Sequence, residues 1–201
     1  MFSFCIICHN HQTVFANLDF YTFSSGITIL SIKFLSFLIE KNSLMEQIIV
    51  YKIAKSEDEF EQGRILFKEY ADELNVDLSF QDFEKELRTI HVQYNKPDGG
   101  LLLAFFDDKP VACAGVRRSD EETAELKRMY VKSGYRGHRI GVALLERSLS
   151  MAKDFGYKKV RLDTLENMAK AQELYKSFGF YTIPSYRFNP IAGTIYMEKV
   201  L

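Results

Sequence analysis

The chain has 201 residues, a net charge of −1, 47% hydrophobic and 26% charged residues, which suits one ordinary domain with a real core and is too short for two comfortable ones. The near-neutral balance gives no general reason to expect nucleic acid as a partner. Three cysteines, Cys5, Cys8 and Cys113, form an odd set with one member in the main body, which argues against a disulfide framework and fits a reducing cytoplasm.

The first 44 residues differ in character from the rest. Only Asp19, Lys33, Glu40 and Lys41 carry charge there, and Phe, Ile and Ser dominate without an amphipathic period. The apolar stretch from Gly26 to Ile39 is interrupted by Lys33 and is too short for a membrane span. No basic residue precedes Lys33 and no small-residue cleavage site follows the apolar run, so it does not read as a signal peptide. Cys5-Ile6-Ile7-Cys8-His9 matches the spacing of covalent haem attachment, and His11 would suit a metal. A five-residue pattern is readily met by chance, so residues 1–44 are read as a poorly specified extension ahead of a domain spanning 45–201, with no metal site.

From Met45 the text becomes regular. Gln47 to Ala54 alternates and reads as a strand. Ser56 and Glu59 form a capping box, so a helix follows, with Phe60, Ile65, Leu66 and Tyr70 on its apolar face. Ser79 with Asp82 repeats the signal ahead of Phe83, Leu87 and Ile90. After the turn Asp98-Gly99-Gly100, strands Leu101 to Phe106 and Val111 to Val116 flank Asp107-Asp108-Lys109-Pro110, a hairpin signature. Ala124 to Val131 is a further strand, Gly137 to Phe155 a long helix, and Val160 to Thr164 a short strand. A helix from Met168 to Phe178 stops at Gly179, and strands cover Phe180 to Ile183 and Thr194 to Val200. Strands first in hairpins and then alternating with helices predict an α+β fold with helices on both faces of the sheet. Cys113, within an apolar run, reads as a small buried strand residue.

One junction carries chemistry. The strand ending Met129-Tyr130-Val131 runs into Lys132-Ser133-Gly134-Tyr135-Arg136-Gly137-His138-Arg139-Ile140-Gly141 and then into an amphipathic helix. A strand, a basic glycine-containing loop and a helix N-terminus make an anion site, because the first helical amides lack internal partners and the macrodipole adds positive potential. Neither a nucleoside-triphosphate loop nor a dinucleotide fingerprint is present. Arg136 to Gly141 resembles the R/Q-x-x-G-x-G/A pyrophosphate motif of GNAT N-acetyltransferases, with Arg139 in place of the middle glycine. Downstream, Ala171-Gln172-Glu173-Leu174-Tyr175-Lys176-Ser177-Phe178-Gly179-Phe180 is similar to that family's A-x-x-L-Y-x-x-x-G-F segment. Where many members carry a cofactor-contacting Asn, this chain has Met168 with Asn167 beside it.

The resemblance implies a three-layer α/β/α fold with a mixed, mostly antiparallel sheet, and transfer of an acetyl group from acetyl-CoA, the co-substrate, to an amine. It places the coenzyme against Arg136, Gly137, His138, Arg139, Ile140 and Gly141, with the Met129 amide at the thioester oxygen and Val131 beside the pantetheine chain. It makes Tyr175 the acid that protonates the departing thiolate and Glu125, on the motif strand, the general base. Between Glu57 and Glu86 there are 11 acidic residues against Arg64, Lys68 and Lys85, and an acidic rim beside the acceptor site would attract a cationic amine. A minimal domain without a peptide-binding insertion favours a small-molecule amine acceptor. A protein acetyltransferase and a non-catalytic acyl-CoA-sensing module are the alternatives, and a homodimer stays open.

Overall fold

In the computed structural model the chain divides into two compact units, Met1–Ile48 and Ile49–Leu201. Residues 49–74 and 82–201 are described in full, and of the first unit only the backbone of four short strands. These are β1 (Ile7–Cys8) paired antiparallel with β2 (Gln12–Thr13), and β3 (Phe20–Thr22) paired likewise with β4 (Thr28–Leu30). The Cys5-x-x-Cys8-His9 reading and the cap expected at Ser79 lie outside the described residues.

In the second unit, β5 (Val50–Ile53) leads into α1 (Glu57–Leu74). The capping box is present there: the Glu59 amide donates to Ser56 Oγ at 3.3 Å and the Ser56 amide to Glu59 Oε2 at 3.1 Å. Two short helices follow, α2 (Phe83–Arg88) and α3 (Ile90–Gln93). Asp82 starts α2 in the left-handed region at φ 53 and makes no side-chain cap. The single helix expected from Phe83 through Ile90 is broken at Thr89, which lies at φ −111.

Strands β6 (Gly100–Phe106) and β7 (Lys109–Arg118) form the predicted hairpin. Asp107 and Asp108 both have positive φ, 47 and 59, as the tight two-residue hairpin turn requires. Then come β8 (Thr123–Val131), α4 (Ile140–Asp154), β9 (Lys159–Leu165), α5 (Ala169–Ser177), β10 (Tyr181–Ile183) and β11 (Thr194–Val200). The seven strands are ordered β10-β11-β9-β8-β7-β6-β5. Every pairing is antiparallel except β8 with β9.

The sheet is covered on both faces, which is why β6 reads as an unbroken apolar run rather than an alternating one. Its Leu102 and Ala104 pack with Ile140, Leu144, Leu145 and Tyr175 from α4 and α5. Its Leu101, Leu103 and Phe105 pack with Phe60, Leu66, Phe67, Leu87 and Ile90 from α1 to α3. The result is a three-layer α+β fold. Two glycines permit close packing of the second layer: a Cβ on Gly63 would lie 2.3 Å from Leu101 Cδ2, and one on Gly115 2.5 Å from the Tyr94 ring. Among the described residues no helix is long and apolar enough to cross a membrane.

Candidate active site

Strands β8 and β9 pair only through Thr123↔Lys159, Ala124↔Val160 and Glu125↔Arg161. Beyond Glu125 they diverge, while β9 stays paired with β11 along its whole length and β8 stays paired with β7. A bulge assists the divergence. Cys113 pairs with Tyr130 and Gly115 with Lys127, so Arg128 and Met129 together oppose the single residue Ala114. Arg128 takes φ 54 there, and such an extra residue bends the strand and re-aims its side chains.

Two adjoining hollows occupy the opening. A cleft of ≈ 820 Å³ runs from Met129 and Val131 past Arg136, Gly137, Arg139, Ile140 and Gly141 to Asn167 and Met168. A smaller cavity of ≈ 120 Å³ continues from it between Lys127 and Met129 of β8, Asp163 and Thr164 of β9, and Tyr175 of α5. Met129, Met168, Ala171 and Leu174 line both. Thus the structure brings Met129, Val131, Arg136, Gly137, Arg139, Ile140, Gly141 and Tyr175 together around one opening. His138 and Glu125 are the exceptions: the exposed His138 ring faces the Tyr135 carbonyl, with Nδ1 at 3.3 Å, and Glu125 lines a separate hollow with Gln93, Arg117, Tyr186 and Arg187.

The loop owes its shape to two left-handed residues, Gly137 at φ 88 and Arg139 at φ 59. An arginine therefore adopts the conformation that glycine would hold more cheaply, at a cost of about 1 kcal/mol. Arg139 is also the N-cap of α4 and makes no side-chain cap, which leaves the first amides of the helix to the cleft. Across the cleft, Glu73 of α1 pairs with Arg136 and Glu69 with Lys132 at 3.0 Å. Glu57 and Glu61 pair with Arg64. Four acids of α1, Glu57, Glu61, Glu69 and Glu73, are thus paired with neighbouring cations.

Charged side chains are buried behind the splay. Arg128 grips Glu86, Nη2 to Oε2 at 2.6 Å and Nε to Oε1 at 3.2 Å, and the Tyr94 hydroxyl donates to the same carboxylate at 2.5 Å. Burial alone would raise the Glu86 pKa, but the Arg128 pair outweighs it and the value falls. Glu125, 4% exposed, is held by Arg117 (Nη2 at 2.8 Å, Nε at 3.0 Å), by Arg187 at 2.9 Å and by the Tyr186 hydroxyl at 3.1 Å. Arg187 also reaches Asp163 at 2.5 Å. Burial pushes the Glu125 carboxyl up, yet Lys127, Arg117 and Arg187 bring it below its ordinary value. A general base benefits from a raised pKa, whereas this carboxylate is engaged by two arginines and a tyrosine hydroxyl.

The phenol of Tyr175 is buried, and that burial raises its pKa well above the usual tyrosine range. Its hydroxyl lies 4.0 Å from Met129 Sδ, so the proton stays on oxygen beside the residue that borders both hollows. Cys113 is buried, lies 3.3 Å from the Arg128 carbonyl, and has a thiol pKa raised by burial, as befits a packing residue. Among the described residues no cluster could hold a metal. Lys127, Arg117, Arg187 and Asp163 were not singled out from sequence. The one advance signal, for Lys127 alone, was the presence of Glu125, Lys127 and Arg128 inside an otherwise apolar strand.

Comparison with known proteins follows the same lines. The model of the Acetyltransferase (GNAT) family matches residues 64–180. An uncharacterized N-acetyltransferase of Schizosaccharomyces pombe is 34% identical over 153 residues, 75% of this chain and 92% of that protein. Among solved structures, an acetyltransferase from Streptococcus agalactiae superposes with a TM-score of 0.64 at 23% identity, over 76% of this chain and 98% of that one. The PaiA N-acetyltransferase of Thermoplasma acidophilum, in complex with coenzyme A, gives a TM-score of 0.56 at 18% identity, over 76% and 99%.

Proposed function

Because the chain belongs to the GNAT family of acetyltransferases, we propose that it moves an acetyl group from acetyl-CoA directly to the primary amine of a small molecule, both bound at once. The observation that carries this reading is the opening between β8 and β9. A long cleft reaches it from the N-terminus of α4, and a cavity of only ≈ 120 Å³ lies at its inner end. The long part suits an extended coenzyme; the short part has room for an acetyl group and a small amine. Asn189 and Ile191, from the segment between β10 and β11, also line the small cavity, which favours a compact acceptor over a protein chain. The Thermoplasma relative solved with coenzyme A supports the choice of co-substrate.

In this reading the amides of Ile140 and Gly141 hold the diphosphate, with Arg136 and Arg139 adding charge. Val131 aligns the pantetheine arm, and the Met129 amide, at the bulge, polarises the thioester carbonyl. Tyr175, kept protonated by its burial, gives its proton to the sulfur as the carbon–sulfur bond breaks. Glu125 keeps Arg117 and Arg187 in place rather than taking a proton from the acceptor. Calorimetry with acetyl-CoA and a thiol-release screen over polyamines, amino acids, aminoglycosides and peptides test the whole. Binding followed by release with one class of small amine is the expected result. Release only with peptides would move the acceptor to proteins, and binding without release from any acceptor would favour a sensor.

A further inference from the structure

Lys127 carries an amine and lines the very cavity where an acetyl group would be handed over. It is 5% exposed and lines the ≈ 120 Å³ hollow together with Met129, Asp163, Thr164 and Tyr175. The bulge at Arg128 puts it one residue before the point where β8 bends. Charged groups on several elements act on it: Glu125 and Arg128 on its own strand, Asp163 on β9, Arg187 beyond β10, and Glu86 on α2. We propose that Lys127 is a self-acetylation site: without an acceptor, its Nζ takes the acetyl group from acetyl-CoA held in the cleft.

The step balances without a further reactant. The neutral Nζ lone pair attacks the thioester carbon, the new carbon–nitrogen bond forms, and the carbon–sulfur bond breaks. Coenzyme A leaves as a thiolate that takes the Tyr175 proton, and the proton lost from Nζ restores the phenol. Products are one acetyl-lysine and one free thiol. Desolvation, opposed by Glu125, lowers the Lys127 pKa from its ordinary 10.5 to about 8. At neutral pH its uncharged fraction exceeds that of an exposed lysine by a factor on the order of 10². The acetylated side chain would occupy the small cavity and remove one positive charge from among Glu86, Glu125 and Asp163. Self-acetylation would therefore stop transfer to the acceptor, so an enzyme short of acceptor would shut itself down.

This inference rests on acetyl-CoA binding as proposed above, and the experiment separates the two. The full chain is incubated with isotopically labelled acetyl-CoA and no amine, then digested and read by mass spectrometry, with calorimetry on the same samples. Label should accumulate at Lys127 toward one per chain, well ahead of surface lysines. Excess coenzyme A, which fills the cleft without an acetyl group, should suppress it there and leave the surface label unchanged. The rate at Lys127 should rise with pH and level off above about 8, whereas surface lysines keep accelerating toward their ordinary pKa. Acetyl-CoA bound with Lys127 unlabelled, or labelled no faster than the surface and indifferent to coenzyme A, overturns self-acetylation alone. Absence of acetyl-CoA binding overturns the parent reading and this one together.

Discussion

At the scale of single residues, the most informative side chains are those whose environment fixes their protonation. Tyr175 is one. Replacing it with Phe keeps the ring that packs against Phe180 at 5.8 Å between centroids and removes only the hydroxyl. Turnover should fall by roughly 10²–10⁴-fold, the usual range for a positioned acid, with acetyl-CoA affinity unchanged in calorimetry. A variant at wild-type rate would hand the acid role to another group. Glu86 is the other. Glu86 is 2% exposed and its carboxylate bonds both Arg128 and Tyr94, so Glu86→Gln removes the charge facing a buried guanidinium and should cost about 3–5 kcal/mol. Because the folded pKa lies below the ordinary 4.5, this stabilisation is complete above that value and is lost as pH falls through the folded one. Urea midpoints should therefore differ by a constant amount from neutral pH down to about 4.5 and converge below it. A gap that persists unchanged at pH 3 would mean the pair contributes through packing rather than charge. Such residues were hard to read in the sequence. Lys127 and Arg128 look like ordinary solvated strand residues, and Glu86, 42 positions from Arg128, carries no local sign of being its partner. Only the fold reveals that the partners meet.

At the scale of elements, legibility was far better, because periodicity and capping are local. The capping box at Ser56 and Glu59 starts α1, and the Asp107-Asp108 turn makes the hairpin. Thr194–Val200 has the predicted bounds. What periodicity could not convey was the parting of β8 from β9 after three pairs, since a bulge of ordinary residues leaves no glycine behind to mark it. Nor could it show that Arg139 would take the left-handed turn. The N-terminus of α4 allows a clean test of the binding loop. A Cβ on Gly141 would lie 3.7 Å from Met129 Cε and 3.8 Å from Leu174 Cδ2, ordinary contacts that leave the fold undisturbed. Gly141→Ala should thus retain acetyl-CoA binding. Gly141→Glu, which puts a carboxylate beside the diphosphate, should weaken it by about 100-fold or more, about 2.8 kcal/mol, without shifting the melting temperature by more than a degree or two. Equal binding by both variants would place the diphosphate elsewhere.

At the scale of the whole molecule, the question is how much of the chain the catalytic fold needs. The change in composition at Met45 and the division into Met1–Ile48 and Ile49–Leu201 fall within a few residues of each other, although one is chemical and the other geometric. One edge strand of the seven is β5, whose Val50 to Ile53 pair with Phe105 to Leu102 of β6. Ala54, just after it, is 2% exposed and donates its amide to the Leu101 carbonyl at 2.8 Å. A chain beginning at Met45 keeps this strand whole, both core layers, and every residue around the cleft. It loses only text with four charges in 44 residues. The shortened protein should therefore express as a folded species with a single cooperative transition. Its acetyl-CoA affinity should match the full chain's, and its turnover should stay within about twofold, since every residue lining the cleft and the small cavity is retained. A chain begun at Lys55 instead drops β5, strips one edge from β6, and should lose the cooperative transition. Were the Met45 version insoluble or unable to bind, the first 44 residues would belong to the folding unit, and the domain would have to be redrawn to include them.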